Sequence, residues 1–403
     1  MLTTDTSFVV PPDTREILGL IREGRANTRA ELVRLTGLSR STVAQRLEPL
    51  LSGGLVLTGG DLASLGGRPP SSLVFNPRAG FVLVADCGVT HTYAGVADLS
   101  GEMLADGLAD VPIGSSPEDF LIWLENTFDD HLSAAGIDRT QVRGIGVGLP
   151  GPVEHSTGTP ISPPIMPGWD GFRVAERLTR SYGVPARVDN DVNIMALGEH
   201  RLAQRHVRDM IFVKVSTGIG AGLVVNEEIH HGSHGAAGDI GHIYVPGHDT
   251  TLCNCGNIGC LEAVASGQAL ADRLNGAGSA RGSVRELIRQ VQMGQPEAIA
   301  AVREAGREIG AVLAAVVNIT DPDVIVVGGQ MAAAHQPLIA GIREVVYRRS
   351  LPLATHNLRI VKSSLEERAG IIGAALMVVE HLLSPHAQPE EALRPPTPSP
   401  TPG

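Results

Sequence analysis

From Asp13 onward the apolar residues Ile17, Leu20 and Ile21 recur at helical spacing, and the run stops at Gly24, a residue suited to closing a helix. Thr28-Arg29-Ala30-Glu31 has the form of a capping box, which predicts a second helix with Leu32, Val33 and Leu35 on its buried side. Thr36-Gly37-Leu38 then forces a tight turn. Ser39 is placed to cap a third helix that turns Val43, Leu47 and Leu50 or Leu51 inward and leaves Arg40, Ser41, Thr42, Gln45 and Arg46 outside. Two short strands, 53–58 and 68–75, follow around a glycine-rich tip and form a wing. The pattern predicts a winged helix-turn-helix over residues 13–77, behind a flexible arm at 1–12. A small helical bundle used for protein contact is the alternative, because an arginine-bearing face is commonly just solvated.

Asn76 to Gly80 is a natural boundary. Beyond it Phe81 to Ala85 is a continuous apolar run ending at Asp86, then Cys87-Gly88-Val89-Thr90, a second strand from Tyr93 to Ala97, and a third after Leu99-Ser100-Gly101. An amphipathic helix is expected at 117–135, and a buried strand at 142–149 leading into Pro150-Gly151-Pro152-Val153. The proline-rich run 160–169 is expected at the surface. A strand at 186–188 delivers Asp189-Asn190-Asp191-Val192-Asn193 to a helix at 194–201. Ile211 to Val215 opens a second lobe and feeds a glycine-rich loop, Ser216 to Gly222. Helices at 266–274, 284–293 and 296–319, strands at 323–327 and 358–362, and a closing helix from Ala369 complete the pattern. The helix 296–319 carries Ala and Val at packing positions that suit pairing across a dimer axis. Residues 386–403, rich in proline, threonine and glutamate, should be disordered.

Composition sharpens this picture at two points. The chain has 403 residues, 43% hydrophobic and 19% charged, enough for more than one core. Its formal charge is -11, but Met1 to Gly80 carries nine Arg against seven Asp and Glu, so this segment is +2 and the remainder -13. Positive charge therefore collects where DNA phosphates would be met. Met1 opens no charged-then-apolar leader, and no apolar run reaches membrane length, which leaves the cytoplasm as the expected compartment and no membrane partner.

Candidate chemistry concentrates between Gly238 and Glu262. His242 followed by Cys253, Cys255 and Cys260 supplies the N/S donor set of a closed tetrahedral structural zinc site, with glycines that let the backbone fold around the ion. Three of the four cysteines lie there; the fourth, Cys87, is expected in a core. Such a loop would bring the carboxylates of Asp239 and Glu262 near each other as ligand contacts. Asp86, with the turn to Thr90, suits a magnesium ion and nucleotide phosphates. Asn190 and Asp191 stand at a strand end beside a helix start, where they are either binding groups or helix caps. His230, His231 and His234 are expected on the surface.

The glycine run Ser216 to Gly222, the Gly238-Asp239-Ile240-Gly241-His242 segment and the three-cysteine loop together resemble the signature region of the ROK family of repressors and sugar kinases. The Gly66-Gly67-Arg68-Pro69 step into the second wing strand resembles the front of the family's repressors, which its kinases lack. The resemblance implies an α/β fold: an N-terminal winged helix-turn-helix, then a two-lobed actin-like, hexokinase-type (ribonuclease H-like) domain over 78–385. Lobe one would take about 78–200 plus the closing helix 369–385, and lobe two about 201–368.

It also implies a sugar-responsive DNA-binding regulator of the repressor type. Sugar or sugar phosphate would sit at Asn190, Asp191, Asp239, His242 and Glu262; Arg40, Ser41, Thr42, Gln45, Arg46 and Arg68 would face operator DNA; the chains would form a homodimer or homotetramer. The alternative is an ATP-dependent sugar kinase with Asp191 as base, and with Asp86, Gly88, Thr90, Thr217, Gly218, Gly328 and Gly329 around ATP and magnesium. This chain departs from the kinase pattern at Val89 and Ser216, where glycine is usual, and at Asp239, where kinases usually carry Glu.

Overall fold

The computed structural model describes residues 10, 12–61, 71–114, 116–276 and 282–383. Arg68 with the step around it, residues 1–9 of the arm, and the tail 386–403 lie outside the described residues. The chain divides into two units, Met1–Gly80 with Val379–Gly403, and Phe81–Val378. The division falls three residues after the expected boundary at 77/78, and it assigns the end of the closing helix to the first unit.

In the first unit, α1 (Pro12–Arg22), α2 (Arg29–Thr36) and α3 (Arg40–Ser52) precede the strands β1 (Val56–Asp61) and β2 (Ser71–Phe75). The expected arm is shorter than 1–12, because Val10 is buried and Pro12 already begins α1. Proline suits the first turn, whose N–H groups have no partner within the helix. Thr28 caps α2 by accepting from the Glu31 N–H, while the Glu31 carboxylate reaches back to the Asn27 N–H at 2.9 Å. Gly37 ends α2 at φ +70° and Ser39 caps α3. Each such cap contributes about 1 kcal/mol. Ile17, Leu18, Leu32, Val43, Leu47, Leu50 and Leu73 fill the core. Leu35 was expected inside but is 38% exposed; α2 has only eight residues, and Leu32 alone is buried on it. β1 and β2 pair antiparallel, Val56 opposite Phe75 and Thr58 opposite Leu73, and the Leu73 N–H donates to the Asn27 carbonyl at 2.7 Å, fixing the wing to the α1–α2 turn.

The second unit contains the same sheet twice. Lobe one is built from β3 (Phe81–Cys87), β4 (Thr92–Asp98), β5 (Met103–Ala109), α4 (Pro117–Ala135), β6 (Val142–Leu149), the small hairpin β7 (Val153–Glu154) and β8 (Thr159–Pro160), α5 (Val174–Tyr182), β9 (Ala186–Asn190) and α6 (Asp191–Ala203). Lobe two follows with β10 (Met210–Val215), β11 (Ile219–Val225), β12 (Glu228–Ile229), α7 (Leu261–Ala265), α8 (Gly267–Asn275), α9 (Val284–Gln292), α10 (Pro296–Thr320), β13 (Val324–Gly328), α11 (His335–Arg349), α12 (Pro352–Thr355), β14 (Arg359–Lys362) and the closing helix α13 (Ala369–Leu383). The sheet orders are β5-β4-β3-β6-β9 and β12-β11-β10-β13-β14. In each, two antiparallel pairs are followed by two parallel ones reached through helices. The central strands β3 and β10 are buried along nearly their whole length, as strands covered on both faces must be.

Helix α6 joins the lobes. Val192, Met195 and Ala196 pack with Phe212, Val224 and Val326 of the second sheet. The buried Glu199 carboxylate accepts from Ser363 Oγ and the Ser364 N–H, each at 2.8 Å. The start of α13 lies against lobe one, as expected, with backbone so close that a Cβ on Gly373 would meet the Ile194 carbonyl and one on Gly198 the Ala369 carbonyl. The proline-rich run is only partly superficial: Trp169 and Met166 are buried in lobe one, and Trp169 Nε1 donates to the Ile113 carbonyl at 3.1 Å. The apolar face of α10 is occupied within the chain, by α11, through Gly306, Gly310 and Gly341.

Candidate functional site: the cleft between the lobes

A cleft enclosing about 870 Å³, part of it open to solvent, lies between the lobes. Its walls include Pro150, Gly151, Pro164 and Ile165 from lobe one, the end of β9 with the start of α6, and Lys214, Thr217 and Gly218 from lobe two. The segment Gly235–Asp239, with His242 and Glu262, closes the remaining side. All five residues expected at a sugar, Asn190, Asp191, Asp239, His242 and Glu262, line this one space.

Local structure explains their placement. Asn190 is the cap of α6: its Oδ1 accepts from the Val192 N–H at 2.9 Å, and its Nδ2 donates to the Gly151 carbonyl at 2.7 Å. It therefore both caps and lines the cleft, while the Asp191 carboxylate is free to turn elsewhere. That carboxylate is hydrogen-bonded to Lys214 Nζ, with both side chains largely withdrawn from solvent. Burial alone would lower the Lys214 pKa, but the Asp191 and Asp86 carboxylates outweigh it and raise it. Burial pushes the Asp86 carboxyl up to about 7. The Glu262 carboxylate is raised by burial as well and accepts from the Ile219 N–H at 3.1 Å. Gly218 makes room for it, since a Cβ there would stand 2.4 Å from Glu262 Oε2. Asn193 Oδ1, also in the cleft wall, is buried without a hydrogen-bond partner.

Behind His242 the four expected metal donors come together. His242 Nδ1 is 3.7 Å from Cys253 Sγ, and Cys255 Sγ is 3.7 Å from Cys260 Sγ; the four ligand atoms all lie within 4.8 Å of one another. Bonds of about 2.3 Å in a tetrahedron give sulfur–sulfur edges of about 3.8 Å, so donor types and spacing both fit zinc. Cys260 is also the cap residue of α7, which carries Glu262. A metal here would thereby orient a cleft carboxylate from behind.

A family model described as the ROK family matches residues 82–381, nearly the whole second unit. The chain belongs to the ROK family. A xylose repressor of Caldicellulosiruptor bescii is 28% identical, over 91% of this chain and 95% of its own. The solved structure of a ROK family transcriptional regulator described as a homologue of the E. coli MLC protein superposes with a TM-score of 0.80, at 26% identity, covering 94% of this chain and 98% of that one. A ROK family glucokinase from Streptomyces griseus, solved with glucose and AMPPNP, gives a TM-score of 0.62 at 27% identity and covers 74% of this chain and 99% of its own.

The residues expected at a sugar share this cavity, whereas those expected at a nucleotide are only partly in it. Of the latter, Thr217 and Gly218 line the cavity, whereas Asp86, Gly88, Thr90, Gly328 and Gly329 do not. Gly328 and Gly329 have a packing explanation: a Cβ would meet the Phe212 ring at 2.3 Å in the first case and the Val215 carbonyl at 2.6 Å in the second. Ser216 to Gly222 is not a free loop, because β11 begins at Ile219. Gly222 is pressed against α6, where a Cβ would stand 2.6 Å from that of Ala196. His231, expected on the surface, is half-buried and hydrogen-bonded to Asp189 at 2.7 Å. Lys214 was missed altogether. Its signal was present: a lone cation inside the apolar run Ile211-Phe212-Val213-Lys214-Val215, and one of only two lysines in the chain.

In the N-terminal unit Arg40, Ser41 and Gln45 are exposed and Thr42 and Arg46 half-buried; Ser41 and Gln45 lie away from the buried Val43, Leu47 and Leu50 of α3, and Arg40 and Arg46 flank that face. Thr42 and Ser41 share hydrogen bonds with Ser39, and Arg46 lies 4.0 Å from Asp13.

Proposed function

We propose that this ROK protein is a sugar-responsive transcriptional repressor whose cleft binds a neutral monosaccharide and whose α3 helix reads operator DNA in the major groove. The observation that carries this reading is the pairing of Asp191 with Lys214 inside a cleft attached to a helix-turn-helix head. Full-length similarity to a xylose repressor and to a ROK transcriptional regulator supports it. Asp191, Asp239 and Glu262 bring three carboxylates to the cavity against one lysine, an environment that favours hydroxyl donors and disfavours a phosphorylated sugar. Xylose is the first ligand to test.

Phosphoryl transfer is disfavoured by the same pair. A general base must accept the hydroxyl proton, and an ammonium ion on Asp191 makes its carboxylate a weak acceptor. Val89, in the cavity wall, also puts a branched side chain where phosphates need backbone. ATP and magnesium belong only to the kinase alternative, which Asp86 and Asp191 keep chemically conceivable.

Structural zinc at His242, Cys253, Cys255 and Cys260 is part of the proposal, as is homodimer or homotetramer assembly in the cytoplasm. Exposed Ile319 at the end of α10, with exposed Leu351 and Leu353 at the start of α12, supports a subunit contact there, Leu351 being held beside α10 through its N–H to Asn318 Oδ1. Among the described residues no helix is long and apolar enough to cross a membrane. A dimer would present two α3 helices to successive grooves, and sugar would act only through its different affinity for open and closed clefts. The test is a mobility-shift titration with the chain's own upstream DNA, with and without xylose or glucose, beside a coupled ADP-release assay. DNA binding that no sugar alters, or ADP release abolished by Asp191→Ala, overturns it.

A further inference from the structure

We infer that His155, Asp189 and His231 form a second metal site, for a late first-row divalent ion such as zinc, nickel or cobalt, pinning a loop of lobe two onto lobe one at the rim of the cleft. The three side chains come from three separate segments: the β7–β8 turn, the end of β9, and the run between β12 and Asp239. Each offers one donor atom, and the three atoms lie within 4.8 Å of one another. His231 Nε2 is 2.7 Å and His155 Nδ1 3.9 Å from the same oxygen, Asp189 Oδ2.

The carboxylate is aimed by its surroundings. Asp189 Oδ1 accepts from the Asn190 N–H at 2.7 Å and from Asn193 Nδ2 at 2.9 Å, so the other oxygen is presented to the imidazoles. Outer hydrogen bonds of this kind orient metal-binding carboxylates. The two rings stack with centroids 3.6 Å apart and planes 20° apart. Drawing the donors to the roughly 3.3 Å edges of a tetrahedral site requires side-chain rotation, and His155, 53% exposed, can rotate and admit an ion from solvent.

Two nitrogens and one carboxylate oxygen select transition ions over magnesium or calcium. Three protein donors leave a position for water, so this ion exchanges more readily than one held by Cys3His. Its placement bears on the sugar. Gly235, φ +87°, lies so close to β7 that a Cβ would stand 2.3 Å from the Val153 carbonyl. The next residues, Ala236 to Asp239, line the cleft. An ion that fixes His231 to lobe one therefore holds the cleft wall. The site shares no residue with the cysteine loop and does not depend on the regulatory reading.

The test counts metal on untagged full-length protein loaded with Co2+ and passed through a desalting column, then titrates Zn2+ by calorimetry. The expected result is two ions per chain: one with an intense sulfur-to-cobalt absorption band, one without. His155→Gln and His231→Gln, separately and together, should remove the second ion or weaken it at least about ten-fold and leave the band intact. Cys253→Ser should disturb the band and spare the second ion. A single ion per chain, or a second ion bound with unchanged affinity by the double variant, an adventitious ion only, overturns the inference. Because His155 is on the surface, its variant tests the site even if His231→Gln unfolds, which circular dichroism would report.

Discussion

Lys214 Nζ is hydrogen-bonded to the carboxylate of Asp191, across the line where lobe two meets the start of α6. Asp86 adds a second negative charge nearby. Lys214 thus serves Asp191 as a built-in cation, where phosphoryl transfer would need a free base. Removing one partner of a withdrawn pair leaves an uncompensated charge, so the pair's worth exceeds that of a surface bridge.

Lys214→Met should destabilise the protein by about 1–3 kcal/mol, read by urea unfolding, because Asp86 and Asp191 would then face each other without a cation. The double variant Lys214→Met with Asp191→Asn should recover part of that loss. Strict additivity of the two changes would mean that the pair is not coupled in solution. Asp191→Asn alone should weaken monosaccharide binding about ten-fold or more, measured by thermal shift, through loss of a charged acceptor.

The pH dependence has a definite sign. Burial pushes Asp86 up to about 7, above its unfolded value of about 3.9, so the folded state takes up this proton first. The stability this contributes is complete below pH 4 and is lost as pH rises through about 7. Asp86→Asn should therefore raise the melting temperature relative to wild type at pH 8, by an amount corresponding to about 1–2 kcal/mol after allowance for the partial exposure of Asp86. The difference should shrink to nothing near pH 4. An equal effect at both pH values would show that Asp86 ionises normally.

On the DNA side Arg40→Ala and Arg46→Ala should each weaken operator binding, and the salt dependence separates their roles. A lost phosphate contact lowers the slope of log K against log salt by about 1 and weakens all sequences alike, whereas a lost base contact costs about 1–3 kcal/mol on the operator only. Arg46, held near Asp13, is the better candidate for phosphate, and Arg40 at the start of the helix for a base. Sugar-induced thermal shifts should be unchanged in both. Unaltered operator affinity in both variants would mean that α3 is not the reading helix.

Much of this architecture was legible because its signals are local. Thr28, Gly37 and Ser39 mark helix ends by their own chemistry, and apolar runs such as Phe81 to Ala85 and Asp323 to Val327 announce buried strands to within two residues. Duplication of the sheet was not legible, since the two copies share strand order and not side chains. α5 and α11 were passed over, although Val174 and Leu178 stand four apart on one buried face. Gly328 and Gly329 were expected at a nucleotide and Gly222 in a glycine-rich loop; each is also pressed by another element, a relation that only tertiary packing reveals. Lys214 and His231 escaped for the same reason: their partners Asp191 and Asp189 lie 23 and 42 residues away.

Cys260 caps α7, and Glu262 two residues later supports the β10–β11 turn through the Ile219 N–H while facing the cleft. His242 offers Nδ1 to the sulfur cluster and lines the cleft as well. Two cleft residues therefore depend on whatever holds the cysteine loop together. Cys255→Ser, or complete chelation, should lower the melting temperature by roughly 5–10 °C and reduce the thermal shift given by the sugar. DNA binding by the head should persist but cease to respond to sugar, because the head has its own core of Ile17, Leu32, Val43, Leu47 and Leu73. Metal content by elemental analysis, thermal shift and mobility shift on the same preparation decide the matter. Protein that is free of zinc and still binds sugar with full affinity would refute the link between metal and cleft, whereas loss of both sugar and DNA binding would point to global unfolding.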